Sequence, residues 1–171
     1  IVRHNHTYIG MNGRFDTIQA AVILGKLDGF QNELELRFKI GNRYTAKLKN
    51  YVTTPIISDK NTHVYAQYTI RVDATKREII INDLKRKGVP TGIYYPKCFH
   101  EQPVFKYLNY KIGDFPIAEE IASTGLSLPM GPHLNKNSIK IISKEVINFS
   151  FIKVRLTWPK AAYLCNTNLL S

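Results

Sequence analysis

Asn12 and Arg14 stand in GMNGRFDTIQAA, the stretch from Gly10 to Ala21, as an amide and a guanidinium flanked by two glycines. Glycine admits backbone angles that other residues resist, so Gly10 and Gly13 allow the loop to press its N–H groups and these two side chains towards a ligand. An amide donor beside a guanidinium fork suits phosphate or carboxylate oxygens, and anion binding is the chemistry this stretch could do. The same residues also read as a plain helix entry with a solvated arginine before it. His4 and His6, two apart, could share a metal, yet no third ligand with useful spacing follows; surface or hydrogen-bonded histidines explain them. Cys98 and Cys165 lie far apart without a CxxC pairing, which supports neither a zinc site nor a disulfide framework and points to a reducing, cytoplasmic setting.

The element that must position Asn12 and Arg14 is a helix starting near Thr17. Asp16 can accept the free N–H groups of its first turn while Gln19 reaches back in a capping-box arrangement. Apolar residues then recur at Ala20, Ile23, Leu27, Phe30, Leu34, Phe38, Tyr44 and Leu48, in steps of three and four with one skip at Gly41. Glu33 with Arg37 and Glu35 with Lys39 add i, i+4 pairs on the polar side. At about 1.5 Å per residue this rod would be roughly 45 to 50 Å long, although Gly25, Gly29 and Gly41 each weaken it by about 1 kcal/mol against alanine.

Beyond Pro55 the chain predicts smaller elements. Val64 to Val72 alternates, placing Val64, Ala66, Tyr68, Ile70 and Val72 on one strand face. Arg77 to Lys87 reads as a short helix with Ile80, Ile81 and Leu84 inward, and Gly88 sits where a C-terminal cap belongs. Thr91 to Tyr95 predicts a second strand, ended by Pro96. Short helices are expected at 102–108 and 116–122, a loop or extended segment over SLPMGP at 127–132, and a helix over 135–148 with Ile139, Ile142 and Val146 on one side. From Phe149 the pattern changes to an alternating FIKVRLTW run and a weakly patterned end.

Composition bounds the classes. The 171 residues, 44% hydrophobic and 11% aromatic, suffice for one globular domain with a real core. No run of eighteen apolar residues is present and the opening Ile1–His4 lacks a signal-peptide stretch, so no membrane partner is expected. The absence of an initiator methionine predicts that the chain begins inside a longer one. A net charge of +11 favours anionic partners, but the basic residues are dispersed. Without an RNP-like motif, zinc-finger spacing or recognition-helix signature, a nucleic-acid reading rests on charge alone, and a phosphate-bearing small molecule suits the same charge.

Five segments in fixed order, GMNGRFDTIQAA, HVYAQYTIRV, GVPTGIYYP followed by EQPVF, GDFPIAEE and SLPMGPHL, resemble the C-terminal portion of the DegT/DnrJ/StrS family of pyridoxal-phosphate-dependent sugar aminotransferases. The VYAQYTIRV and RHNHTYIGMN forms resemble most the branch acting on 3-oxo UDP-N-acetyl-glucuronic acid in surface polysaccharide (O-antigen) biosynthesis. The resemblance covers roughly residues 3–148 and implies an α+β class: the long linking helix and small C-terminal domain of a fold-type I transferase, with a small antiparallel sheet and covering helices. It divides the chain into an active-site loop at 1–16, the remnant of a large domain's end, a linking helix at 17–50, a small domain at 51–148 and an unmatched tail at 149–171.

The resemblance also implies roles. Asn12 would contact the phosphate of pyridoxal 5'-phosphate bound mainly by a partner subunit, and Arg14 the anionic side of a nucleotide sugar. Tyr95 matches, and Tyr94 departs from, the His-Tyr pair that faces the sugar in many relatives. The competing reading is a strand that buries one of these tyrosines and exposes the other. His100, Gln102 and Pro103 are expected to shape the turn, and Cys98 stands where proline is common. The Schiff-base lysine and the acidic partner of the pyridinium nitrogen lie upstream of GMNGRFDTIQAA in the family, so no catalytic residue is expected here. The chain alone should not transaminate and should act with a complete or complementary subunit, on a nucleotide sugar and glutamate. The alternative is a non-catalytic anion- or partner-binding domain. The long helix carries more apolar stripe than a small sheet can cover, which predicts an exposed face.

Overall fold

The computed structural model describes residues 4–11, 13 and 16–151; Asn12, Arg14 and the tail from residue 152 lie outside the described residues. In chain order the elements are α1 (Thr17–Leu48), β1 (Tyr68–Arg71), α2 (Arg77–Arg86), two 3-10 turns (Phe99–Glu101 and Pro103–Leu108), α3 (Pro116–Thr124), β2 (Gly125–Leu128) and α4 (Lys136–Phe151). The class is α+β.

Helix α1 begins where its cap dictates: the Asp16 carboxylate accepts the Gln19 N–H at 2.9 Å. Its 32 residues run unbroken past all three glycines, for about 48 Å. Gly25 and Gly29 face open space, but Gly41 does not. The Tyr65 ring lies flat against it, so close that a Cβ at position 41 would stand 2.4 Å from Tyr65 Cε2. The skip in the apolar stripe is therefore the seat of an aromatic ring. Glu35 and Lys39 pair at 3.8 Å, whereas Arg37 donates to the Tyr65 carbonyl at 3.2 Å.

Only the last part of α1 is buried, at Ile40, Gly41, Tyr44 and Leu48. These pack with Tyr68 and Ile70 of β1, Leu126 and Leu128 of β2, and Ile139, Ile142 and Val146 of α4 into one core. Tyr44 stacks on Tyr68 with ring centroids 4.9 Å apart. Burial of two phenols requires partners for their hydroxyls. Tyr44 donates to the Pro129 carbonyl at 3.0 Å, and the Tyr68 hydroxyl meets Thr45 Oγ1 at 2.8 Å. Burial pushes both phenols up, that of Tyr68 to about 12.

The sheet corrects two expectations. β1 and β2 are antiparallel with Tyr68 opposite Leu128 and Arg71 opposite Gly125. The strand expected from Val64 is shorter, because Tyr65 has φ of 44°. That left-handed residue turns the chain, so Tyr65 is buried while Val64 and Ala66 are exposed, and only Tyr68, Ile70 and Val72 keep the expected face. Thr91 to Tyr95 is not a strand. Within it a single residue, Gly92, bridges to Ser127, with N···O distances of 2.7 and 3.0 Å. The partner of β1 is Gly125–Leu128, wholly buried and entered directly from the C-cap of α3.

The covering helices are fixed at their ends. Gly88, at φ of 75°, follows α2; the Val89 N–H reaches the Leu84 carbonyl at 2.8 Å and the Gly88 N–H reaches that of Lys85 at 3.0 Å. That is a Schellman cap, with buried Val89 beside buried Leu84 as its apolar closure. Asn135 Oδ1 caps α4 by accepting the Ser138 N–H at 2.8 Å. Lys87 then ties α2 to α4, 2.7 Å from Asp83 and 2.8 Å from Glu145. Helix α4 runs to Phe151, so Phe149–Phe151 continue it instead of opening an extended tail. The short helix expected over 102–108 is a 3-10 turn, which Pro103 starts and Asn109 at φ of 58° ends.

Candidate functional site

Tyr94 and Tyr95 lie on the loop that follows the Gly92 bridge, and the peptide between them is cis. Both are exposed, 49% and 67%, so the alternation expected of a strand is absent. Gly92 makes this possible. The Tyr94 ring lies back on its backbone, where a Cβ would come within 2.6 Å of Tyr94 Cε2. The Tyr95 ring stands at 86° to that of Tyr94, pointing away from the core.

Beside them lies a shallow cleft of about 250 Å³, lined on one wall by Thr91, Gly92 and Tyr94 and on the other by Ser127 to Met130. Its polar groups are hydroxyls and amides. Among the described residues no lysine and no carboxylate lines it. Such a donor set suits hydroxyl-rich or neutral polar groups, and it offers nothing to anchor an aldehyde or to hold a ring nitrogen protonated.

The N-terminal segment reaches the same face. The His4 ring meets the Tyr95 ring edge-on at 5.9 Å. Gln102, only 3% exposed, accepts the His6 N–H at 3.0 Å through Oε1 and donates from Nε2 to the His4 carbonyl at 3.2 Å. The Val104 N–H donates to the His6 carbonyl at 3.1 Å. His4 and His6 are thus used through their backbones, and among the described residues no cluster of three possible metal ligands occurs. Met11 and Gly13 are exposed, while Asn12 and Arg14, the residues expected to meet phosphate and sugar, lie outside the described residues.

A second polar cluster lies further along the chain, at His100 and Glu119. His100 Nε2 lies 2.9 Å from Glu119 Oε1. The Glu119 carboxylate also accepts the Gly113 N–H, at 2.9 Å to each oxygen, and the Phe115 N–H at 3.3 Å. The Gly113 N–H first, then that of Phe115 and the His100 ring, hold this carboxyl below its ordinary range. Glu101 closes the next turn by accepting the Cys98 N–H at 2.9 Å. Burial, then the Glu101 carboxylate, pushes the Cys98 thiol up, away from the reactive thiolate.

Sequence spacing does not reveal the link between His4–His6 and Gln102, because the partners lie 96 and 98 residues apart. The one local mark of it is Gln102 itself, an amide placed directly before Pro103 between two short turns.

The matches to known proteins agree with this architecture. The model of the DegT/DnrJ/EryC1/StrS aminotransferase family matches residues 2–147. The UDP-2-acetamido-2-deoxy-3-oxo-D-glucuronate aminotransferase of Pseudomonas aeruginosa is 41% identical over 147 residues, which is 85% of this chain and 40% of that protein. A DegT DnrJ EryC1 StrS aminotransferase from Brucella abortus superimposes with a TM-score of 0.72 at 36% identity, over 87% of this chain and 39% of that one. DesV of S. venezuelae, in complex with a ketimine intermediate, gives 0.76 at 26% identity, over 90% and 41%. The chain thus spans about 40% of the length of the relatives it matches.

Proposed function

This chain belongs to the DegT/DnrJ/EryC1/StrS aminotransferase family, and from that premise we propose that it forms the C-terminal part of a pyridoxal-phosphate-dependent sugar-nucleotide aminotransferase. The reaction would move an amino group from glutamate to a keto sugar nucleotide in surface polysaccharide biosynthesis, O-antigen included. The observation that carries the substrate reading is the 41% identity to an enzyme named for a 3-oxo UDP-sugar, over nearly the whole described chain.

When bound, pyridoxal phosphate supplies an electron sink for the bonds at the amino-bearing carbon. The residues of this chain act around it. Asn12 would meet the phosphate of the cofactor held by a partner subunit, and Arg14 the anionic part of the nucleotide sugar. Tyr95, and Tyr94 beside it, would face the sugar; their exposure and the hydroxyl-lined cleft next to Tyr94 support this role. The Schiff-base lysine belongs to the cofactor domain, so the chain alone does not transaminate and works with a complete or complementary subunit in the cytoplasm. Among the described residues no helix is long and apolar enough to cross a membrane. The exposed Ile18, Val22, Leu24 and Leu27 of α1 support a partner of substantial size, since these side chains would be costly to leave in water.

The test is to mix the chain with a separately produced cofactor domain of the same family. Co-elution should occur, and with glutamate the bound cofactor's absorbance should change only when both pieces are present. A mixture that neither co-elutes nor responds to glutamate leaves the reading of a non-catalytic anion- or partner-binding domain.

A further inference from the structure

Gln102 is almost fully withdrawn from water, and both ends of its amide are used by a segment nearly a hundred residues earlier in the chain. A residue that only shapes a turn spends its hydrogen bonds on that turn. The Gln102 backbone closes its turn with Phe99 and Phe105, but its side chain gives both of its bonds to His4 and His6, and the Val104 N–H, two residues on, adds a third bond to the same segment. The three bonds, two from the Gln102 side chain and one from the Val104 backbone, dock the N-terminal segment. Its immediate consequence is geometric: the His4 ring arrives edge-on at Tyr95.

We infer that Gln102 is a positioning residue, a clasp that sets the register of the N-terminal segment at His4–His6 against the Tyr94–Tyr95 loop. The inference deepens the proposed function and rests on it only for what the loop is held ready to do. Truncating the amide leaves the His6 N–H and the His4 carbonyl without their partner at a nearly dry position, which favours release of the segment over retention of two orphaned groups. The Gly92–Ser127 bridge lies on the other side of the Tyr94–Tyr95 loop and does not depend on Gln102. Its amides serve as internal controls.

The experiment uses the full chain and needs no catalysis. Amide hydrogen exchange is followed at His6, Val104, Gly92 and Ser127, together with the His4 imidazole signals, which the Tyr95 ring shifts by its proximity. In Gln102→Leu, exchange at His6 and Val104 should accelerate by about tenfold or more while Gly92 and Ser127 stay protected. The His4 signals should move to the position they take in Tyr95→Leu. Gln102→Glu keeps the acceptor and loses the donor, so it should retain protection at His6 while the His4 signals still move. Unchanged exchange and an unmoved His4 in Gln102→Leu overturn the clasp. So does loss of protection at all four amides in both variants, which makes Gln102 an ordinary core residue. A chain that passes this test yet fails to support transamination with the cofactor domain removes the proposed function and leaves the clasp standing.

Discussion

Replacing Gly41 by alanine should destabilise a helix that the same change strengthens elsewhere. In a helix interior Gly→Ala is worth about 1 kcal/mol in favour of the fold. At position 41 the added Cβ would stand 2.4, 2.5 and 2.6 Å from Cε2, Cδ2 and Cζ of Tyr65. The ring must retreat by about 1 Å to recover ordinary contact. It has nowhere free to go: the rings of His63, Tyr68 and Phe38 lie 4.2, 5.7 and 6.4 Å from it, and Arg37 holds its carbonyl. Overpacking costs about 1–3 kcal/mol, and three ring atoms this close put position 41 in the upper part of that range, about 2–3, so after the helix gain of about 1 kcal/mol Gly41→Ala should lose about 1–2 kcal/mol net. Gly25→Ala and Gly29→Ala, in open space, should gain up to about 1 kcal/mol each. Urea unfolding followed by far-ultraviolet circular dichroism measures all three, with thermal midpoints moving roughly 2–4 °C per kcal/mol at this size. In a Tyr65→Ala background Gly41→Ala should turn stabilising. A Gly41→Ala chain as stable as the wild type, or a loss that persists without the Tyr65 ring, refutes the steric reasoning.

Three further outcomes are expected. Gly88→Ala places a side chain at φ of 75° and should cost about 1–2 kcal/mol by urea unfolding, with the loss confined to the Schellman cap of α2. Glu119 and Glu145 have carboxyls held below their ordinary 4.5, by the Gly113 N–H and by Lys87 respectively as the chief causes. A depressed folded pKa gives stability that is complete above the unfolded value and is lost as pH falls through the folded one. Unfolding free energy should therefore drop on acidification below about 4.5, and Glu119→Gln or Lys87→Met should flatten that part of the profile. In the reconstituted enzyme, Arg14→Ala should raise KM for the sugar nucleotide by about tenfold or more, with Arg14→Lys recovering little, because a point charge does not replace a fork. An unchanged KM in both variants refutes the substrate role.

The long helix was legible because its signals are local: a carboxylate cap, apolar steps of three and four, and polar pairs one turn apart. Tyr68, Ile70 and Val72 were legible as one strand face for the same reason. Val64 and Ala66 were not, since nothing local announces that Tyr65 turns left-handed to reach a glycine on α1. Of Gly125–Leu128 only Ser127 and Leu128 fell within an expected loop or extended segment, because the strand has four residues, all buried, and alternation cannot mark a strand covered on both faces. In the candidate site, exposure of both Tyr94 and Tyr95 follows from Gly92, whose missing side chain lets one ring fold back. The hold of Gln102 on His4 and His6 is a contact between distant parts of the chain, and no window of residues contains both.

The closing of the sheet also orders events during synthesis. Pairing β1 with β2 encloses about 50 residues for two strands of four, a loop-closure cost that so short a ladder does not repay by itself. The missing return comes from α4, whose Ile139, Ile142 and Val146 lie against Ile40, Tyr44 and Leu48, among the first core residues to be made. A nascent chain therefore carries a long, half-apolar helix out of the ribosome well before the residues that complete its core exist. Folding of this domain must wait for residue 146 and its neighbours to emerge, and until then the apolar face of the helix lacks the α4 side chains that cover it.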